Sequence, residues 1–248
     1  VTRWRDLPST DLLPADAAAR LSAAIDEAAV ALAEGDADRL AALLPAGEHW
    51  RLFSAFGDGA AYLDIETGDD VIGFEGISAI GIFDRDGPSL LLAERDLHRF
   101  VERARGWSML VTFNGLSFDV PILRRAFPEW QPPRCHVDLR HVLARLGQGG
   151  GLKAIEKRLR LDRPQHLAGI EGWDACGLYR RGREGDREAL RRFAEYNLYD
   201  VINLWPLMAW GYNAMVAREP LMRAAWKEVR VPERGDVLYD VSKILMAL

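Results

Sequence analysis

Cysteine, long apolar runs and surplus positive charge are all scarce in this chain, and each shortage removes a class of function. Two cysteines in 248 residues, Cys135 and Cys176, are too few for a disulfide framework, and neither belongs to a Cys-x-x-Cys pair. Both read as small buried side chains. No stretch approaches ~18 uninterrupted apolar residues; even the Ala-rich run 15–33 is broken by Asp16, Arg20, Asp26 and Glu27. A transmembrane helix is therefore not expected. The first residues carry Arg3 and Arg5 but no apolar segment before Pro14, so no secretory signal is expected and the reading places the protein in the cytoplasm. With 37 acidic against 32 basic residues, a net charge of -5, the chain lacks the unopposed Lys and Arg needed to coat duplex DNA, although a local basic groove stays open to it. What remains, at 49% apolar and 28% charged, is a globular protein. Its length suits one large α/β domain with an appendage.

Along the chain, Leu21, Ile25, Ala28, Ala29 and Leu32 recur at helical spacing, and Gly35 separates this helix from a second, shorter one. Residues 1–57 read as an N-terminal helical extension with no catalytic spacing; packing on a neighbouring domain is its simplest role, and a protein partner for it is not specified. From residue 60 the period changes to two: Tyr62, Asp64 and Glu66 alternate with Leu63 and Ile65, and Gly68, Asp69 and Asp70 close the strand. Further strands are expected at 77–83 and 89–92, joined by the turn Asp84-Arg85-Asp86-Gly87, so three antiparallel strands come first. A helix with Leu97, Phe100, Val101 and Ala104 on its apolar face precedes a strand at 109–113, and helices follow at 120–126, 139–146, 152–159 and 186 to about 208. The pattern predicts a mixed sheet flanked by helices over 58–215, with a C-terminal helical tail at 216–248. The Gly-rich segment 147–153 fails both phosphate-loop templates, because Leu152 and Ala154 stand where Gly and Ser or Thr are required; it reads as the lead-in to a helix.

Three windows carry chemistry. Asp64 and Glu66, two apart on a strand, project from one face about 7 Å apart. Buried between helices, two such carboxylates need a cation, since like charges ~4 Å apart repel by roughly 4 kcal/mol at an effective dielectric of 20. Asn114-Gly115 and Asp119 lie between a strand and a helix; taken alone, Asp119 reads as a helix cap ahead of Pro121 and Asn114 as a turn former. Tyr196 and Asp200 share a helix face, with Val201, Leu204 and Leu207 following, so Asp200 lies near the buried side and wants a partner.

The order Asp-x-Glu on a strand, Asn-Gly-x-x-Phe-Asp before a helix and Tyr-x-x-x-Asp on a late helix resembles the DEDD exonucleases of the ribonuclease H-like superfamily. It matches their Tyr subtype, since residue 195 is Glu where the other subtype has His. Asp64-Ile65-Glu66-Thr67-Gly68, Phe118-Asp119-Val120-Pro121 and Gly151-Leu152-Lys153-Ala154-Ile155-Glu156 are most similar to a bacterial branch often labelled YprB-like. The resemblance covers about residues 60–207. It implies a ribonuclease H-like fold and hydrolysis of phosphodiesters from the 3′ end of single-stranded DNA or RNA with two divalent ions. An all-oxygen site of four carboxylates agrees with Mg²⁺ or Mn²⁺ rather than zinc. By position, Asp64 would bridge both ions, Asp200 and Glu66 would help hold the one that activates water, and Asp119 would serve the other. Tyr196 would orient the water, being a poor general base with an ordinary pKa of about 10. Thr67, Asn114 and Phe118 are the implied substrate contacts, with core packing preferred for Phe118. Relatives commonly carry one more small residue between Thr67 and the glycine, so the backbone that would meet the terminal nucleotide is shorter here. His136, Asp138 and His141 match no zinc spacing and read as hydrogen-bonding within the fold. The arginines at 180, 181, 183, 187, 191 and 192 are interleaved with acids, as on a solvated helix, although they could also guide phosphates. The rival readings are a ribonuclease H-like nucleic-acid-binding module without catalysis and a non-nuclease scaffold whose acids are caps and surface charges.

Overall fold

The period-two run that begins at Ala60 forms the middle of a sheet. The computed structural model describes residues 13–68, 73–170, 172–219, 229, 241–242 and 244–246. Five strands, β1 (Ala60–Thr67), β2 (Ile77–Asp84), β3 (Gly87–Leu92), β4 (Met109–Thr112) and β5 (His136–Asp138), lie in the order β3-β2-β1-β4-β5. The first three are antiparallel, and β4 and β5 continue the sheet in parallel with β1, the expected mixed arrangement. Gly87, at φ 92°, makes the tight β2–β3 turn that a side chain would resist.

The helices α1 (Ala15–Glu34), α2 (Ala37–Ala42) and α3 (Phe53–Phe56) precede the sheet; α4 (Phe100–Arg103), α5 (Asp119–Ala126), α6 (Leu139–Arg145) and α7 (Leu152–Arg158) are interspersed with or follow its later strands. After them come α8 (Gly172–Arg183), α9 (Arg187–Ile202) and α10 (Leu204–Arg218). Among the described residues no helix is long and apolar enough to cross a membrane.

Strand alternation divides the interior in two. Tyr62, Phe83 and Val111 face a core shared with Phe193, Leu198, Leu207 and Tyr212 of α9 and α10, whereas Leu63, Ile65, Ile80 and Leu110 face a second core with Phe100, Leu123 and Trp130. Ala31, Leu40, Trp50 and Phe53 of the N-terminal segment belong to the first core. His49 ties that segment down: its Nε2 lies 3.1 Å from the Ala41 carbonyl and its Nδ1 accepts from the His136 N–H at 3.3 Å.

Two helices differ from expectation. The long helix expected from 186 to about 208 is broken at Asn203 into α9 and α10, because Pro206 has no N–H and its ring would collide with the carbonyl of Ile202 in a continuous helix. The helix α8 was not expected, since Gly172, Gly177 and Gly182 punctuate it and lower its intrinsic helix preference. Gly182 has a packing reason: a Cβ there would lie 2.8 Å from Leu190 Cβ of α9, so the α8–α9 hairpin closes only over a bare backbone. Most of the expected C-terminal helical tail, 220–228, 230–240, 243 and 247–248, lies outside the described residues.

Candidate active site

The site is assembled where β1 outruns its parallel neighbour. Asp64 and Glu66 alternate with apolar Leu63 and Ile65, so their carboxylates leave the strand on the face covered by α9. Directly across from Asp64 on β2 is Gly81, where an added Cβ would collide with Asn197 Oδ1. The missing side chain lets α9 approach the sheet closely, and α9 carries Tyr196 and Asp200 on the turns around Asn197. Carboxylate oxygens of Asp64, Glu66 and Asp200 thereby all lie within 4.8 Å of one another. A bulge between Glu66 and Thr67 ends the regular pairing beside them.

Asp119 arrives from the opposite flank. β4 accompanies β1 only from Ala60 to Tyr62, and further along β1 the Ile65 N–H donates to Asp119 Oδ1 at 3.0 Å. The capping role read from the sequence is corrected here: Asp119 is the first residue of α5, Phe118 holds the cap position without a side-chain bond, and the carboxylate reaches over to the strand. Asn114 is a turn former, with φ 69° in the left-handed region, and its Oδ1 accepts from Arg140 Nη1 at 2.5 Å.

These carboxylates work against one another. Burial, then Asp119, Asp200 and Glu66, hold the Asp64 carboxyl well above the usual range, with Lys153 opposing. Burial and Asp200 push Glu66 up to about 8. Burial pushes Asp119 up to about 7 against the hydrogen bonds it receives from backbone N–H groups. A half-buried acidic cluster of this kind is relieved by a cation, and its donors fit one: carboxylate oxygens alone, with no His or Cys in the set, suit a hard divalent ion such as Mg²⁺ or Mn²⁺.

A model of the RNase_H superfamily matches residues 61–212, more than half of the chain and the whole of this sheet-and-acid arrangement. The chain belongs to the RNase_H superfamily. No curated protein and no solved structure matches it. Members of the superfamily are typically hydrolytic nucleases that usually use divalent metals.

Within this RNase_H-superfamily chain, two cations escaped the sequence reading. Lys153 of α7 places Nζ 2.6 Å from the Tyr196 hydroxyl, 3.3 Å from Asp200 Oδ1 and 4.4 Å from the centre of the Tyr196 ring. Arg163, in the loop after α7, grips buried Glu156 through Nε and Nη2, both at 2.7 Å, and reaches Asp200 Oδ1 at 2.5 Å. Burial works against its charge, yet Asp200 and Glu156 outweigh that and hold the guanidinium charged more firmly than usual. Glu156 also accepts from Asn203 Nδ2 at 2.8 Å, which links the α9–α10 break to the same network. Lys153 and Glu156 stood inside the phrase that carried the family resemblance; their role shows only once α7 is packed against α9. Removing one partner from a buried pair leaves the other charge stranded, so Arg163→Met is expected to cost about 3 kcal/mol. Chemical denaturation checks this, and Glu156→Gln in the same chain should recover part of the loss.

The remaining candidates divide. Phe118, expected in the core, is instead 42% exposed and lines a cleft together with Glu66 and Thr67. His136 and Asp138 hydrogen-bond within the fold as expected: His136 Nε2 lies 2.9 Å from Thr112 Oγ1, and Asp138 accepts from the N–H groups of Asn114, Leu116 and Arg140. The arginine cluster is largely a solvated helix surface, with Arg181 on Asp186, Arg183 on Glu94 and Arg191 on Glu188. Arg180 alone of the cluster lines the cleft.

Proposed function

We propose that the protein is a metal-dependent 3′–5′ exonuclease of the DEDD type, Tyr subtype, similar to the YprB-like branch and acting on single-stranded DNA or RNA. The observation that carries this reading is the convergence of Asp64, Glu66 and Asp200, residues from both ends of the matched region, to within 4.8 Å, with Asp119 against the same strand. Asp64, Glu66, Asp119 and Asp200 would hold two divalent ions, Mg²⁺ or Mn²⁺. Bound there, the ions supply charge stabilisation for the attacking and leaving oxygens of an in-line displacement.

The protein's own groups then have separate work. Burial and the carboxylates of Asp200, Glu66 and Asp64 raise the Tyr196 hydroxyl far above neutral pH, so it keeps its proton. Because Lys153 Nζ donates to the Tyr196 oxygen at 2.6 Å, the phenolic hydrogen is left to donate elsewhere, which suits a group that positions a water rather than deprotonates it. Arg163 fixes Asp200 from the side away from solvent, and Asp119 is fixed by the Ile65 N–H. Thr67 and Phe118 line the cleft beside Glu66 and would meet the terminal nucleotide; Asn114, whose Oδ1 is held by Arg140, would join them only if that bond were exchanged for one to the substrate.

Incubation of the purified protein with 5′-labelled linear DNA and RNA strands in Mn²⁺ tests this. A ladder of shortened products is expected, absent in EDTA and absent for Asp200→Ala, with circular single-stranded DNA left intact. Cleavage of the circle would overturn the exonuclease assignment. Strand binding without any ladder would leave the non-catalytic module.

A further inference from the structure

The substrate is a polyanion and the candidate active site is itself a cluster of carboxylates, so affinity for the strand must come from surface beside the acids. The cleft that shares Glu66 with that cluster has a volume of about 520 Å³; Ile65, Thr67 and Gly68 at the end of β1 line it too, and the rest of its lining comes from α8 and from the residue before α5. On α8, Trp173, Cys176 and Arg180 stand at spacings of three and four and so share one helix face. The Cys176 thiol donates to the Thr67 carbonyl at 3.1 Å, which seats that face against the end of β1. Trp173 is 86% exposed, the most open large apolar side chain among the described residues, and Phe118 is 42% exposed on the same cleft. An indole left that open does nothing for the core. Two open aromatic rings and a guanidinium beside an anionic reaction centre form the combination that binds unpaired bases by stacking and their phosphates by charge.

We infer that Trp173, with Phe118, forms a stacking subsite for the unpaired base at the strand end, and that Arg180 engages the adjoining phosphate. This rests on the exonuclease reading and deepens it: the cleft takes a base that has left its duplex, which makes an unpaired 3′ end the preferred substrate. Trp173 lies outside the motifs that carry the family resemblance, so its role comes from the cleft alone.

Fluorescence anisotropy with a 5′-fluorescein single strand in EDTA at low ionic strength separates binding from turnover. Trp173→Ala is expected to weaken binding roughly 5- to 150-fold, the range for loss of one stacked base. Trp173→Phe should recover most of it, with Mn²⁺ affinity and melting temperature unchanged in both. Native protein should bind a strand with an abasic 3′-terminal nucleotide more weakly than the intact strand, and Trp173→Ala should lose that discrimination. Equal affinity of Trp173→Ala and native protein for the intact strand would overturn the subsite, whether or not the protein degrades DNA. Base discrimination through Trp173 in a protein that shortens no strand would instead retain the subsite and remove the exonuclease reading.

Discussion

Asp64→Asn is expected to abolish Mn²⁺-dependent cleavage, by roughly 10³-fold or more, and at the same time to raise the melting temperature of the metal-free protein. The two effects have one cause. Asp64 is crowded by burial and by Asp119, Asp200 and Glu66, which is what a cation requires and what a metal-free fold must tolerate. The pH dependence follows with a definite sign. Glu66 holds its proton up to about 8 in the folded chain, against 4.5 for the ordinary residue, so between those values the folded state binds more protons than the unfolded one. Metal-free stability therefore falls as pH rises through that window. Asp119, raised to about 7, adds to the fall. Asparagine in place of Asp64 removes a carboxyl that must give up its proton among like charges as pH rises and should flatten the slope, with a gain of about 1–2 kcal/mol at pH 8, or roughly 2–8 °C in a chain of this size. Thermal melts in EDTA and in Mn²⁺ decide it: the native protein gains from Mn²⁺ and the variant does not. A variant that melts below the native protein in EDTA, or that retains the Mn²⁺ shift, would contradict the metal assignment.

How much of this was readable in advance depends on sequence distance. The sheet announces itself through local period and turn chemistry, so the three antiparallel strands and the parallel strand at 109 are visible from neighbouring residues alone. Asp64 and Glu66 are visible in the same way, since residues two apart on a strand share a face. Asp119 and Asp200 were not derivable from spacing; the family resemblance placed them with Asp64, and Asp119 on its own reads as a cap. That error is instructive, because the donor it serves, the Ile65 N–H, is 54 positions away and is free to bond only because β4 has stopped short of it. Lys153 and Arg163 are hidden for the same reason: they act 47 and 37 positions along the chain, on Asp200. Trp173 sits in a helix that three glycines conceal, so neither its face nor its neighbours could be read.

Gly81→Ala should disable the site without touching any acid. The added Cβ would collide with Asn197 Oδ1 and meet Val201 Cγ1 at 3.0 Å, both on α9 and both fully buried, with no solvent to turn into. The helix must withdraw or tilt, and Asp200, one turn beyond Asn197, leaves the 4.8 Å set it forms with Asp64 and Glu66. Overpacking of this kind costs about 1–3 kcal/mol, but the loss of Mn²⁺ affinity should be the larger effect, because coordination tolerates a displaced ligand less well than packing does. Asn197 supplies the control. Both polar atoms of its buried amide lack a hydrogen-bond partner among the described residues, so shortening it to alanine sacrifices no hydrogen bond and opens the space that the new methyl group on β2 needs. The double variant Gly81→Ala with Asn197→Ala is therefore expected to regain Mn²⁺ binding and part of the stability, a positive coupling of about 0.5–3 kcal/mol between the two positions. Calorimetric Mn²⁺ titration of both single variants and the double variant measures it. Additive losses would mean that Gly81 serves some purpose other than the close approach of α9 to β2.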